Sequence, residues 1–324
     1  MTYLKPFAIG AFALVGSTAQ AATFDALDLL QSFNTIALGN LTASSETEGT
    51  VYVGGDFASN GYTVNPDGLA DGTVGTVSGS LIVGGDVSGN PINLNNGSAQ
   101  IGGTATAIIN NNGNGVVQTG VADIPVNDVA AALSGLSASL GALDTTAGAS
   151  ADFSDQNGTR INSGTGDNGV AILNLTEAES ISFLRNGANG SFAGIDSSLT
   201  TIINLYGTDL RYSSNFNVDN ENVLLNFVDT TSLTIQGGAL GFSILAPLAD
   251  ISATGGGVNG TVVGNNIEQR IEFRPFDNTN VFDGQVPTID SAPEPSPEPV
   301  PLPAAAWMLL SALAGLGWMR RRSA

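Results

Sequence analysis

Two nearly identical strings in this chain have the residue types of a phosphate-binding loop. The first, GTVYVGGDF, runs from Gly49 to Phe57, and the second, GSLIVGGDV, runs from Gly79 to Val87. A glycine-rich turn after a β-type run can hold a phosphate when a lysine and the N-terminus of a helix follow it. Neither string is followed by a lysine or by a helical pattern. The strings therefore predict repeated glycine corners and no nucleotide site.

The residue types that the chain lacks exclude most covalent catalysis. Histidine and cysteine are absent, and Lys5 lies in the N-terminal apolar segment. Ser-His-Asp, Cys-His and Ser-Lys arrangements are therefore excluded. Carboxylate chemistry remains, and Asp56 and Asp86 would fall into one ladder if the two strings stack. Because most carboxylates are exposed, corner caps are the favoured interpretation of these acids, and no catalytic residue is predicted.

Carboxylate and amide oxygens are also ligands for calcium. The segment from Ser154 to Gly169 offers Asp155, Asn157 and Asp167. It is not an EF-hand, because Arg160 occupies the sixth loop position, where glycine is required. The acidic charge leaves one calcium ion at Asp155, Asn157 and Asp167 as an open alternative, and no other cofactor is expected.

The two ends of the chain resemble sorting segments. Lys5 precedes the apolar run FAIGAFALVG, and Ala19 and Ala21 form a cleavage site of the small-x-small type. Residues 1–21 therefore predict a signal peptide that is cleaved before Ala22. An uncleaved anchor is the alternative, and the short apolar run disfavours it.

At the other end, residues 291–303 are rich in proline and glutamate and predict an extended linker. Residues 304–324 contain an apolar run that is marginal for spanning a bilayer and end near an arginine cluster that favours the cytoplasmic side. The sorting positions are Val300, Pro301, Leu302, Pro303, Ala304, Arg320, Arg321 and Arg322.

In this order, these residues resemble the VPLPA variety of the PEP-CTERM sorting signals of Gram-negative bacteria. The resemblance implies recognition by an exosortase-type processing enzyme, removal of the tail, and delivery to the outer surface or the extracellular matrix. The chain would be held transiently in the inner membrane, and only through this tail. A plain tail anchor is the alternative.

Removing both ends leaves a strongly acidic chain. Lys5 and the three tail arginines are lost, so five basic residues remain (9 − 1 − 3) against 29 acidic residues. The net charge is then near −24 (5 − 29). Nucleic acid is excluded as a partner, since its binding rests on cationic side chains that neutralise phosphates. Without cysteine the chain has no disulfides, even in an oxidising compartment.

Short strand patterns dominate between Thr50 and Thr106. The runs TVYV, TVGTV, SLIV, PINL and AQI are bounded by turn residues. A strand followed by two glycines occurs at Val53, Val83 and Ile101, with spacings of 30 and then 18 residues. A loose repeat of this size favours a β-solenoid, in which glycine is expected to supply a positive φ at the corners.

One segment has the period of a helix. The apolar residues spaced by 4, 3, 4 and 3 positions are Val129, Leu133, Leu136, Leu140 and Leu143. Pro125 precedes the segment, and Asn127 or Asp128 is expected to cap it. The pattern predicts a long helix along the flank of the solenoid, and a partner-binding helix is the alternative.

Strand patterns return after the helix. Val223–Val228 is apolar on both faces and predicts a central, buried strand. GTVVGNN, from Gly260 to Asn266, echoes the opening strings. The sequence therefore predicts one mostly-β domain over residues 22–290, a discontinuous right-handed β-helix with one long flanking α-helix.

The order of these segments resembles the choice-of-anchor A family. Ser32–Phe57 contains the FN and EG-x-x-x-x-GG elements of its opening, and Val223–Phe276 resembles its closing half, including Asn226 and the final PF pair. The family usually has a histidine shortly before that pair, where this chain has Arg274 in EFRPF. The resemblance implies an adhesive role and a β-helical fold akin to ice-binding adhesin domains.

Together these patterns predict an exported, non-catalytic protein of the surface or biofilm matrix that adheres through an extended acidic face, with glycans or matrix proteins as partners. Ice binding would need a regular threonine array, and the threonines of TTIIN and TTSLTIQ have no fixed period. The alternative is a carboxylate-dependent carbohydrate-active enzyme, a glycosidase or lyase, on a β-helix.

Overall fold

The structure of the chain, a computed structural model, describes residues 24–287 except 96, 156–157, 167, 187–190, 217 and 277–280, and it leaves the side chains of 186 and 191–193 undescribed. The chain divides between Val286 and Pro287. The predicted cleavage site at Ala19 and Ala21 and the sorting positions from Val300 to Arg322 lie outside the described residues, so both stay predictions.

The described strands form three parallel sheets, A, B and C, which are the faces of a solenoid. In spatial order, sheet A contains β14 (Val117–Thr119), β12 (Ala99–Ile101), β9 (Leu81–Val83), β4 (Val51–Val53), β1 (Thr35–Ala37), β26 (Val262–Gly264), β23 (Gly241–Ala246), β21 (Asp219–Phe227), β19 (Thr200–Leu205) and β17 (Val170–Leu175). Sheet B contains β10 (Val87–Gly89), β5 (Phe57–Ser59), β2 (Leu41–Ala43), β27 (Ile267–Gln269), β24 (Asp250–Ala253), β22 (Ser232–Ile235) and β20 (Asp209–Tyr212). Sheet C contains β13 (Ile109–Asn111), β11 (Ile92–Leu94), β6 (Tyr62–Val64), β3 (Glu46–Thr47), β28 (Glu272–Arg274) and β25 (Gly257–Asn259).

Five further strands and the helices lie beside these sheets. The strands are β7 (Gly72–Val74) and β8 (Val77–Gly79), which form an antiparallel hairpin, and β15 (Ser150–Asp152), β16 (Arg160–Asn162) and β18 (Ser191–Gly194), which form a small separate sheet. The helices of the described part are α1 (Ala26–Ser32), α2 (Val126–Gly141) and α3 (Glu177–Asn186).

The solenoid is discontinuous in sequence. β1 pairs with β4 on one side and with β26 on the other, so the first coil of the chain lies against its last coil. From β1 the chain winds outward to β14, returns through α2, and winds back from β17 to β26. The predicted discontinuous β-solenoid with a long flanking helix is confirmed, and GTVVGNN is indeed a coil element of sheet A. Its right-handed winding, the rule for parallel connections, stays a prediction.

Sheet A is buried on both sides over its central strands. Val51 and Val53 point into the solenoid core, whereas Tyr52 between them packs outward in a second core with α1 and α2. The outward residues of this sheet contact the apolar side of α2, including Val129 and Leu133. β21 lies centrally in this sheet and is buried from Val223 to Phe227, as the sequence predicts.

The capping of α2 differs from the prediction. Pro125 is the N-cap residue and makes no side-chain capping bond, because the helix begins at Val126 and places Asn127 and Asp128 inside its first turn. The helix ends at Gly141, so Leu143 follows it but still packs against the second core.

Asparagine side chains on sheet A hold the C-terminal end of α2. The Nδ2 of Asn226 donates to the Ser137 carbonyl at 2.9 Å, and the Nδ2 of Asn204 donates to the Leu140 carbonyl at 2.8 Å. These bonds join sheet A to the last two turns of α2, and Ser137 adds a third by donating its hydroxyl to Asn226 Oδ1 at 2.6 Å. Asn226, part of the family-like NF pair, is thus a helix-docking residue.

The sequence analysis missed one helix, α3, and placed one pair of strands, β7 and β8, in the wrong part of the fold. α3 was not predicted, although the Thr176 hydroxyl and the Glu179 carboxylate form a capping box, with Thr176 N donating to Glu179 Oε2 at 2.9 Å. The run TVGTV was assigned to the solenoid but forms the β7–β8 hairpin, with Gly75 at φ 60° in its turn. This inserted hairpin explains why the glycine pairs are spaced by 30 residues and then by 18.

A polar network is buried where the two halves of the chain meet. The Tyr62 hydroxyl donates to Gln269 Oε1 and contacts Thr47 Oγ1, both at 2.6 Å. The Nε2 of Gln269 donates to the carbonyls of Glu46 and Ile271 at 2.8 and 3.0 Å. These residues belong to β6, β3 and β27, which come from opposite ends of the described chain.

Candidate functional site

The strings GTVYVGGDF and GSLIVGGDV, with Asp56 and Asp86 near their ends, lie on adjacent coils and form hydrogen bonds with each other. The backbone N–H of Asp86 donates to Asp56 Oδ1 at 2.8 Å, and the N–H and hydroxyl of Thr104 donate to Asp86 Oδ1 at 2.7 and 2.9 Å. Below them, the N–H of Asp56 donates to Asn40 Oδ1 at 2.8 Å, and that of Asn40 to Asn266 Oδ1 at the same distance. The strings therefore form a ladder of side-chain caps at one corner, as the sequence predicts.

The glycines of these corners serve close packing and not a positive φ. A Cβ on Gly84 would lie 2.3 Å from the Gly54 carbonyl oxygen, and one on Gly85 would lie 2.2 Å from Asp56 Oδ1. Gly54, Gly84 and their following glycines are not among the residues with positive φ. The expectation of positive φ was wrong at this corner, because the coils approach too closely for any side chain. It is correct at Gly61 and Gly89, at a different corner.

Asp86 is poorly suited to general acid catalysis. The backbone N–H of Thr104, and then its hydroxyl, hold the pKa of Asp86 below its usual range. A general acid must carry a proton near the working pH, whereas these bonds favour the ionised form. The geometry thus supports the interpretation of Asp56 and Asp86 as corner caps.

Sheet B has an uncovered outer surface, which we call face B. In register, its outward side chains are Ser88, Ala58, Thr42, Glu268, Ser252, Thr234 and Arg211. All of them are exposed or half-buried, and the pairings of sheet B show no register shift. Mostly short, neutral side chains on seven regular strands give face B a flat surface. This row is therefore not the extended acidic face that the sequence predicts. Thr42 and Thr234 are its threonines.

A cavity lies at one end of face B. It has a volume of about 440 Å³ and is lined by Ile181, Arg185, Asp209, Arg211, Ser232 and Thr234. α3 supplies Arg185 in its last turn, β20 supplies Arg211, and β22 supplies the two hydroxyls. The Ser232 hydroxyl donates to Asp209 Oδ1 at 3.1 Å. The two arginines and the Thr234 hydroxyl provide several hydrogen-bond donors in one concave site, beside the Asp209 carboxylate.

Sequence reasoning missed face B and this cavity, although a signal exists. A polar corner residue, a buried apolar residue and an outward residue recur in this order as Asn40-Leu41-Thr42, Asp56-Phe57-Ala58, Asp86-Val87-Ser88, Asp209-Leu210-Arg211, Asp250-Ile251-Ser252 and Asn266-Ile267-Glu268. The third residue of each triplet lies on face B. Arg185 had no such signal, because it reaches the cavity from an unpredicted helix.

Three carboxylates on the adjacent sheet C also lie close together. Glu46, Glu48 and Glu272 each bring an oxygen within 4.8 Å of the others. Arg274 lies among them, with its Nε 3.1 Å from Glu48 Oε1 and its guanidinium paired with Glu272. A guanidinium within the cluster neutralises the charge that a metal ion would need, so these residues form an ion-pair network. Arg274 thus pairs with Glu48, the glutamate of the EG element.

Of the three predicted calcium ligands, Asp155 alone lies in the described part of the chain. Asp155 follows β15, whereas Asn157 and Asp167 lie outside the described residues. A calcium ion at these residues stays a prediction. Among the described residues, no helix is long and apolar enough to cross a membrane.

The stacked coils, the flanking helix α2 and the open face B together define a β-solenoid. The family model described as "Putative Ice-binding-like adhesive domain" matches residues 26–275. This match covers most of the chain, and the chain belongs to this family of adhesive domains. It is therefore an adhesin-type surface protein.

The comparison with solved structures found a similar chain. The chain is similar to an ice-binding protein from an Antarctic ascomycete, Antarctomyces psychrotrophicus, with 15% sequence identity and a TM-score of 0.31. The similarity covers 81% of this chain and 98% of that chain. No curated protein matches the sequence.

Proposed function

We propose that this chain is an exported, non-catalytic adhesin that contacts its target through face B. The observation that carries the proposal is the contrast between sheets in a member of an adhesive family: helices cover sheet A, whereas sheet B presents a flat, regular outer surface. A flat array of short side chains gives many equivalent contacts at low cost in side-chain entropy. Such a surface suits a repetitive target such as a polysaccharide.

The cavity at the end of face B favours an anionic polysaccharide as the target. Nine basic residues occur in the whole chain, and two of them, Arg185 and Arg211, line this one cavity. Arginine binds carboxylates and sulfates through paired N–H donors. Because the rest of the chain is strongly acidic and repels polyanions, the cavity would fix where and in which register such a polymer binds.

Binding of the full chain to polygalacturonate, with neutral dextran as the control polymer, tests this proposal. Replacing both arginines in Arg185→Gln/Arg211→Gln should weaken binding about tenfold or more, since one hydrogen bond to a charged group contributes ~1.5–3 kcal/mol. Arg160→Gln, in β16 and outside the cavity, is the matched control and should leave affinity unchanged. Equal affinity of all three proteins would refute the cavity as the ligand site. If the chain bound neither polymer, glycans of this class would be excluded as partners, and matrix proteins would be the next partners to test.

We extend the proposal to the sorting of the chain. The residues at the N-terminus support cleavage before Ala22. Those at the C-terminus support a linker at residues 291–303 and processing of the VPLPA-type tail by an exosortase-type enzyme. Both features are in line with the resemblance to choice-of-anchor A proteins. Release to the outer surface or matrix of a Gram-negative bacterium would follow. Intact-mass measurement of protein recovered from such cells should show a chain that begins at Ala22 and lacks Trp307 and Trp318. A mass that includes both tryptophans would contradict processing.

One observation favours the alternative of a carboxylate-dependent carbohydrate-active enzyme. A second cavity, of about 370 Å³, is lined by Asp219 and Glu221 with Phe276 beside them. Paired carboxylates and an aromatic ring are the parts that glycoside cleavage uses. Incubation of the full chain with a polysaccharide panel tests this alternative: new reducing ends or unsaturated sugars, lost in Asp219→Asn, would support it over adhesion.

A further inference from the structure

The two ends of the solenoid differ in how they are covered. At the β17 end, Thr146 bonds to the outer edge of the terminal strand, with its N–H donating to the Ile172 carbonyl at 2.8 Å and its hydroxyl accepting from Ile172 N at 2.8 Å. α3 adds Phe183 and Leu184 to the core there, and the small sheet adds Ile161. At the opposite end, β14 and β13 are the last strands of sheets A and C among the described residues. No described strand pairs with their outer edges.

This uncapped end is apolar. Of the four large hydrophobic residues that are most exposed among the described residues, three lie here: Ile108 at 65%, Val116 at 53% and Val117 at 39%. All three residues of β14 are exposed. Natural proteins normally protect such an edge with charges, proline or a covering segment, because an open apolar edge pairs readily with another chain.

The uncapped end also carries no charge. The sequence from Val87 to Ala122, which forms β10 to β14, contains no aspartate, glutamate, lysine or arginine, although the chain has a net charge of −20. Two copies of so acidic a chain repel one another over most of their surfaces. They can approach closely where both surfaces are neutral, and this end is such a place.

Amide ladders run along sheet C to the same end. Asn110 Nδ2 donates to Asn93 Oδ1 at 3.1 Å, and Asn112 Nδ2 donates to Asn95 Oδ1 at 3.0 Å. Each terminal amide thus directs its Nδ2 back along the ladder, which leaves its oxygen on the outer side. The last strand of sheet C therefore presents neutral amide groups at this end, in keeping with its lack of charge.

We propose that two copies of this chain associate end to end through β14, β13 and the segment from Thr104 to Ile108. Stacking of an uncapped end on the capped end of another copy is blocked by α3 and the bonded β17 edge. Two uncapped ends must therefore meet each other, which gives a closed two-fold dimer. Two-fold symmetry pairs the β14 strands antiparallel, so that each supplies the missing neighbour of the other. The proposal does not depend on the ligand of face B.

The mass of the full chain in solution, measured by light scattering over a range of concentrations, is the first test. The expected mass is twice that of the monomer. Val116→Asp buries a charge from each copy in the apolar contact and should reduce the mass to that of one chain. Leu248→Asp, whose parent residue is 51% exposed in the turn between β23 and β24, is the matched control and should stay dimeric. Thermal unfolding of each variant checks that it is folded, and Ile108→Asp replaces Val116→Asp if that variant is not.

A cross-link identifies the contacting surface. The chain has no cysteine, so Gln118→Cys introduces its one thiol. A short bismaleimide should join two copies at this position, because antiparallel partner strands lie about 5 Å apart. Leu248→Cys should give no cross-linked dimer. A monomeric wild-type chain, a dimer that persists in folded Val116→Asp, or equal cross-linking of both cysteine variants would each overturn the proposal.

Discussion

The two halves of the solenoid are built by different means. From β1 to β14 most strands have three residues, and the coils approach so closely that only glycine fits at the corner marked by Gly54, Gly84 and Gly102. From β17 to β26 several strands have six or more residues, and large rings fill the interior. Phe216 is the centre of that cluster, with its ring centroid 5.0 Å from that of Phe183 and 5.1 Å from that of Tyr212.

This difference shows two ways of stabilising one fold. In the first half, backbone groups and corner side chains of neighbouring coils bond directly, and the described interior has a single ring pair, Phe57 and Tyr62, with centroids 5.4 Å apart. In the second half, wider coils must be filled by aromatic side chains and are held from outside by α2 and its asparagine partners. Substitutions should therefore act through excess volume in the first half and through lost volume in the second.

The largest expected effect is the loss of the ring at the centre of the second half. Phe216→Ala removes a buried side chain that contacts Phe183, Tyr212 and Phe242. Removal of a buried phenylalanine costs about 3–5 kcal/mol, so urea unfolding should show a loss of this size. A cost below about 1 kcal/mol would mean that the second half does not depend on its interior packing.

The next effect concerns the boundary between the halves. Gln269→Leu removes the partner of the Glu46 and Ile271 carbonyls and one of the two partners of the Tyr62 hydroxyl, which keeps Thr47. Buried polar groups without partners cost about 1–3 kcal/mol each, so a loss of about 3 kcal/mol is expected in urea unfolding. Tyr62→Phe removes one hydroxyl and should cost less. Equal costs for the two variants would argue against a network centred on Gln269.

A smaller effect distinguishes corner glycines from a helix glycine. Gly84→Ala places a Cβ against the Gly54 carbonyl oxygen and should cost about 2–3 kcal/mol, since backbone cannot move away easily. Gly135→Ala, in α2 where a Cβ meets nothing within 4 Å, should instead stabilise the protein by up to about 1 kcal/mol. Thermal unfolding compares the two variants. Similar effects at both sites would refute the close-packing role of the corner glycines.

The smallest effect is a dependence on acid pH. Bonds from Thr104 lower the pKa of Asp86 from its ordinary value of 3.8, so the ionised form stabilises the folded state above that pH. This contribution is lost as the pH falls below 3.8 through the lowered folded pKa. Hydrogen exchange at the Thr104 amide should then show reduced protection. Asp196 also has a lowered pKa, but its bonds are to Ser198 two residues away, so its protonation should leave contacts between coils unchanged.

Several elements could be predicted because their cause is local. The glycine pairs and short β-branched runs indicate coils, and the 4-3-4-3 spacing of leucines indicates α2, whose apolar side is buried as expected. The capping-box pair Thr176 and Glu179 is a local signal for the start of α3, although the sequence analysis did not predict this helix. The inserted β7–β8 hairpin disguised the repeat, since its strands have the same composition as those of the solenoid.

The sequence alone determined that this chain is an acidic β-solenoid without the side chains for most covalent catalysis, because composition, period and turn residues depend on near neighbours in the chain. Only the tertiary structure decided that β1 lies beside β26, that α2 covers sheet A and leaves face B open, and that Arg185 and Arg211 line one cavity. These relations join residues far apart in sequence, and no local pattern specifies which coils meet or which face the helices cover.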